Sequence, residues 1–235
     1  MIRPRRRTSG SVAVIVVAAL AWSAQPASAA QIGTVSGSTA AAQLKKGMTS
    51  SMTPSAARSA LGGLTVRAAG SMTGYSRDLF PHWRDASTWG WPVAPNDACN
   101  ARNAALYRDG QNVTMSSTCT NLAGTWIDPY SANKFNAASD IDIDHIVPLA
   151  NAWRSGAAGW STTRKTQYAN DPLVLVSSWD SLNQAKGDKG PEAWKPPLTA
   201  SHCLYATRWT FTKQKYGLSV TSAEKSALTN MLGPC

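Results

Sequence analysis

Hydrophobic and polar positions divide this chain into three unequal stretches. An apolar run at 11–22 follows a cluster of arginines, and residues 30–71 are rich in Ala, Ser, Thr and Gly and contain no aromatic residue. From Tyr75 onward aromatic and branched residues recur at spacings that a folded domain uses. The clearest period is two: Ile141 and Ile143 alternate with Asp140, Asp142 and Asp144, which predicts a half-buried strand with a carboxylate face. Residues 111–116 and 124–127 are further β-prone runs, the second closed by the turn signal Asp128-Pro129-Tyr130-Ser131, and 172–176 reads as a buried strand. Helices are expected at 98–108, capped by Asn96 or Asp97, at 149–154, at 161–169 and at 178–186, the last stopped by Gly187. Two longer ones close the chain: 199–216, stopped by Gly217, and 221–232, opened by the capping box Thr221 to Glu224 and ended by Gly233.

This order predicts an α+β fold in a single small domain at 72–235, about 160 residues, which is enough to bury one core. Residues 30–71, with so little apolar area to offset their ordering entropy, are expected to be a flexible linker or propeptide. No internal repeat is visible.

The first 29 residues carry Arg3, Arg5, Arg6 and Arg7, the apolar run and the small-residue site Ala27-Ser28-Ala29, the pattern of a cleaved signal peptide. The apolar run is too short to span a bilayer, so a secreted protein without stable membrane association is expected, acting as a monomer. Cleavage removes four arginines and no acids, which lowers the formal charge from +10 to +6. The remainder favours a polyanionic partner such as nucleic acid. All four cysteines lie in the exported part, and an even count in an oxidising compartment reads as two disulfides, among three connectivities. The sequence-local pairing, Cys99 with Cys119 and Cys203 with Cys235, is the one expected. No Cys-x-x-Cys pair is present to support a structural zinc.

Candidate chemistry concentrates in Asp142-Ile-Asp144-His145-Ile-Val-Pro148-Leu, Asn170 and Asn183-Gln-Ala-Lys186-Gly-Asp-Lys189. Phosphodiester hydrolysis needs a water made nucleophilic, charge stabilised on phosphoryl oxygens and help for the leaving alkoxide. One histidine and one hard cation supply all three. His145 is the candidate base, Asp144 and Asn183 are candidate oxygen ligands, and Asp142, on the same strand face as Asp144, is a candidate outer-shell carboxylate. Lys186, Lys189 and Arg154 are candidate phosphate contacts. His82 and His202 have no partner pattern and are expected to be structural. The nine tryptophans from Trp83 to Trp209 follow no repeat and are expected to serve packing rather than base stacking.

At these residues the sequence resembles the HNH branch of the His-Me finger, or ββα-metal, nucleases, in particular secreted actinobacterial members, with the core motif at about 140–195. The resemblance implies His145 as general base, Asp144 and Asn183 as metal ligands, and Asn170 as the residue that braces the loop and orients the histidine. It also suggests Arg102 as a transition-state clamp and Glu192 as an outer-shell acid. Asn183 stands where many members place a second histidine, which favours one Mg²⁺ or Mn²⁺ over softer cations. The expected activity is that of a secreted, divalent-metal-dependent endonuclease acting on DNA, with RNA as a further candidate. Low sequence preference is expected, since no reader helix or zinc finger is evident. Two other classes stay open: a non-catalytic module that binds nucleic acid or another anionic polymer, and a hydrolase of a different phosphodiester polymer.

Overall fold

The computed structural model describes residues 30–92 and 98–235. The leader at 1–29 and the expected caps Asn96 and Asp97 lie outside the described residues. Eight helices and two antiparallel sheets are seen among those described. Strands β1 (Gly33–Thr34), β2 (Gln111–Thr114), β3 (Ala123–Ile127) and β4 (Asn133–Ala137) form one sheet in the order β1-β4-β3-β2. Strands β5 (Ile141–His145) and β6 (Leu175–Trp179) form the second, in register from Ile141 opposite Trp179 to His145 opposite Leu175. The helices are α1 (Gly37–Ala42), α2 (Pro54–Gly63), α3 (Ala101–Asp109), α4 (Leu149–Arg154), α5 (Thr162–Ala169), α6 (Asp180–Lys186), α7 (His202–Tyr216) and α8 (Ser222–Leu232). The fold is α+β, as expected from the order of patterns.

Local chemistry sets most of these boundaries. Asn100 caps α3 by accepting from the Asn103 amide at 2.9 Å, Ser161 caps α5, and Thr221 and Glu224 form both halves of the capping box on α8. Gly187 and Gly217 follow α6 and α7 with φ of 53° and 63°, a region that a residue with a Cβ enters at a cost. Strand β4 was not legible because Phe135 is its one buried side chain; it exists by pairing with β1 and β3. Strand β6 begins three residues later than its apolar run suggests. Asp171 turns the chain first, accepting from the Leu173 amide on Oδ1 and from the Val174 and Leu175 amides on its carbonyl. Ser177 is polar yet buried, with its amide on Asp109 Oδ2 and its hydroxyl on the Ala105 carbonyl.

The expectation of a flexible segment at 30–71 is corrected by the fold. β1 pairs with β4, and Leu44, Ala57, Leu61 and Leu64 enter the same core as Val176, Trp209 and Leu228. Few apolar residues suffice because they are placed at i, i+4 and i+7 on α2 and its exit, and because polar groups do the rest. Arg208, fully buried on α7, donates to the carbonyls of Leu44 and Lys46 on one side and of Pro172, Leu173 and Leu175 on the other. The N-terminal segment is therefore fastened to the approach of β6. Leu61→Ala is expected to cost roughly 2–5 kcal/mol in urea unfolding, as for a core leucine; a midpoint equal to wild type would mean that α2 does not belong to the core.

Both expected disulfides are present: Cys99 with Cys119, and Cys203 with Cys235, leaving no free cysteine among the described residues. The first holds the entry of α3 to the loop after β2, and the second holds the start of α7 to the end of α8. No described helix is long and apolar enough to cross a membrane.

Candidate active site

Antiparallel β5 and β6, with α6 packed against both, form a ββα unit whose two strands are separated in sequence by α4 and α5. A cleft of about 310 Å³ opens at the end of β5, lined among others by Tyr75, Arg77, Asp144, His145, Asn183 and Asp188. Adjacent residues of a strand point to opposite faces, so Asp144 and His145 share the cleft because β5 ends at His145 and the chain turns through Pro148 into α4.

His145 is buried and its Nε2 lies 3.1 Å from the carbonyl of Ala169. That carbonyl belongs to the last residue of α5, where helix carbonyls lack an intrahelical partner. A carbonyl only accepts, so Nε2 carries the proton and Nδ1 holds the lone pair. Nδ1 makes no hydrogen bond among the described residues. Burial, reinforced by the Arg77 charge, lowers the His145 pKa to about 3, so the ring is neutral at ordinary pH.

Asn170 does not face the cleft. Its amide Nδ2 donates to the carbonyls of Pro81 and Thr166, its Oδ1 accepts from the Arg84 amide, and its own carbonyl accepts from the Trp91 indole. The side chain thus grips the backbone on both sides of Trp83, a non-glycine residue held at φ 60° whose ring lies 6.1 Å from the imidazole. Such a conformation persists only where its surroundings impose it. Trp83, expected to serve packing, stands beside the imidazole of His145.

Asp144 is buried between two donors: Lys186 Nζ at 2.7 Å from Oδ1 and the Tyr130 hydroxyl at 2.6 Å from Oδ2. Burial pushes its carboxyl up and the Lys186 ammonium down, and each charge opposes the other's shift. Lys186 also donates to the His145 carbonyl at 2.9 Å and is fully buried. It therefore braces the site from behind, and the expectation that it meets phosphate is corrected. Asn183 donates from Nδ2 to Asp142 Oδ2 at 2.9 Å, which leaves its Oδ1 as the acceptor for another partner. Asp142 thus holds the Asn183 amide in place. Asp144 and Asn183 are two oxygen donors on one cleft, and no group of three or more His, Cys, Asp or Glu gathers among the described residues. This donor set fits a hard cation that keeps several waters better than a closed cage.

The remaining candidates sit at the margin. Arg154 is held by Asp188 through contacts of 2.7 and 2.8 Å, and exposed Lys189 donates to the Ala185 carbonyl. Arg102 reaches the Ile141 and Asn103 oxygens at 3.5 Å, near the start of β5 rather than in the cleft. Glu192 is exposed and folds its carboxylate over Gly190. His82 and His202 make local bonds to the carbonyls of Phe80 and Pro196, a structural role. Arg77 and Tyr75 were missed; their only sequence signal is a cluster of aromatic and charged residues at 75–83 without a recognised spacing.

The family described as GmrSD restriction endonucleases, C-terminal domain, matches residues 100–231, which include the whole ββα unit. The chain belongs to that family. The domain is therefore of nuclease type. The family match starts beyond the cleft residues Tyr75 and Arg77, but likeness to one relative is longer. An uncharacterized secreted protein of the fungus Arthroderma benhamiae is 50% identical over 183 residues, covering 77% of this chain and 85% of its own. No solved structure matches the chain.

Proposed function

We propose that the protein is a secreted, metal-dependent endonuclease of the HNH type, cutting DNA, and RNA as a further substrate, with little sequence preference. The observation that carries this reading is the placement of His145: it shares one cleft with the oxygen donors Asp144 and Asn183, and its Nε2 lies against the Ala169 carbonyl, which leaves Nδ1 as the basic nitrogen. The secreted relative, the leader pattern and the two disulfides support an extracellular setting.

In the proposed reaction, Nδ1 of His145 takes a proton from water as the water oxygen bonds to phosphorus. The bond from phosphorus to the 3′ oxygen breaks, and that oxygen leaves to be protonated by solvent. Products then carry 5′-phosphate and 3′-hydroxyl ends. Asp144 and Asn183 would hold one Mg²⁺ or Mn²⁺, which when bound supplies Lewis-acid stabilisation of the phosphoryl oxygens and the leaving alkoxide. Lys186 and Tyr130 keep the Asp144 carboxylate in place, and Asp142 keeps the Asn183 amide from flipping. An incoming phosphodiester anion raises the basicity of His145 from its low resting value.

Removing divalent metal is expected to abolish strand cleavage, with Mg²⁺ or Mn²⁺ restoring it. Gel analysis of plasmid, RNA and a phosphodiester wall polymer, in EDTA and then in each cation, checks this. Binding of plasmid without turnover in any cation would favour the non-catalytic module, and turnover of the wall polymer alone would favour the other hydrolase. Cleavage that persists in EDTA, or 3′-phosphate ends, would contradict the chemistry proposed.

A further inference from the structure

The cleft contains a cation that the proposed chemistry has not used. Arg77 lies on the short turn Arg77–Leu79, exposed, and lines the same cleft as Asp144, His145 and Asn183. Among the described residues its side chain makes no hydrogen bond or ion pair. The neighbouring cations are committed elsewhere, Lys186 to Asp144 and Arg154 to Asp188. Arg77 is thus the guanidinium left free to meet an anion at this cleft.

Its backbone is built to stay there. On one side the Gly70 amide donates to the Arg154 carbonyl, the Trp153 indole donates to the Ser71 carbonyl, and Tyr75 packs edge-on against Trp153 at 5.7 Å. On the other, Phe80 is fully buried against Tyr168 at 6.2 Å. Ser76 caps the turn by accepting from the Asp78 amide. The fastened turn fixes the place from which the guanidinium is presented, and its fork matches two phosphate oxygens.

We propose that Arg77 is the phosphate clamp of this site, taking the non-bridging oxygens of the phosphodiester presented to His145. The inference rests on the nuclease reading for its chemistry.

The test measures binding and turnover separately, in wild type, Arg77→Gln, Arg77→Lys and the charge control Lys225→Ala on α8. Binding of a fluorescent oligonucleotide in EDTA across a salt series is expected to weaken about tenfold in Arg77→Gln, with the slope of log K against log salt falling by about one. Where the wild type cuts, kcat is expected to fall by roughly a further 10²-fold, since the guanidinium meets charge that grows in the transition state, with partial recovery in Arg77→Lys. The thermal midpoint should not move in Arg77→Gln, and Lys225→Ala should retain binding and kcat. Wild type that binds but never cuts, with binding lost in Arg77→Gln, would refute the nuclease reading and keep the anion clamp. Wild type that cuts while Arg77→Gln keeps its kcat and salt slope would refute the clamp and keep the nuclease. Failure of wild type to bind the oligonucleotide would refute the clamp as well.

Discussion

Lys186→Met is expected to lower stability by about 3–5 kcal/mol and to remove activity at the same time. Both ends of the Lys186 to Asp144 pair are buried, with 0% and 4% of the side chains exposed, and the contact is 2.7 Å. Breaking such a pair leaves one charge in a medium that solvates it poorly, which costs far more than an exposed pair. Tyr130 alone cannot compensate the carboxylate, so Asp144 would be pushed further towards its neutral form and lose its value as an oxygen ligand. Lys186 also donates to the carbonyl of His145, so the end of β5 loosens. The double variant Asp144→Asn with Lys186→Met separates the two effects: stability should largely return, because no unpaired charge remains, while activity stays absent. Urea unfolding and plasmid nicking measure the two quantities. A single variant as stable and as active as wild type would mean that the pair supports neither the fold nor the site.

Where the sequence was legible, a short-range rule was enough. The alternation of Ile141 and Ile143 with aspartates placed β5, the capping box placed α8, and the glycines at 187 and 217 stopped α6 and α7. Likewise Asp144, His145 and Asn183 were recognisable because they fall in two short motifs, one at the end of β5 and one on α6, and they do share a cleft. What escaped depends on distant partners. The carbonyls that Arg208 collects from 44, 46, 172, 173 and 175 make residues 30–71 part of the fold, and no local pattern announces them. The burial of Lys186 is decided by Asp144, which is 42 residues away, so its charge alone suggested a surface role. Trp83 and Arg77 reach the site through Asn170, Trp153 and Tyr168, contacts that only the folded chain reveals.

His145→Ala is expected to reduce the cleavage rate by about 10²–10⁴-fold, the range that a positioned general base supplies. The side chain makes one hydrogen bond, to the Ala169 carbonyl, so the substitution removes the base without breaking an ion pair. His145→Asn fills part of the vacated space, and unchanged circular dichroism in either variant ties the loss to chemistry rather than to unfolding. Asn170→Ala acts differently, because it frees the backbone on both sides of Trp83 and should lower stability and rate together. The most direct measurement is therefore nicking of supercoiled plasmid, in Mg²⁺, Mn²⁺ and EDTA, by wild type and folded His145→Ala lacking residues 1–29. The account predicts metal-dependent nicking by wild type that falls at least 100-fold in the variant. Equal nicking by the two proteins, or nicking by wild type in EDTA, would contradict it.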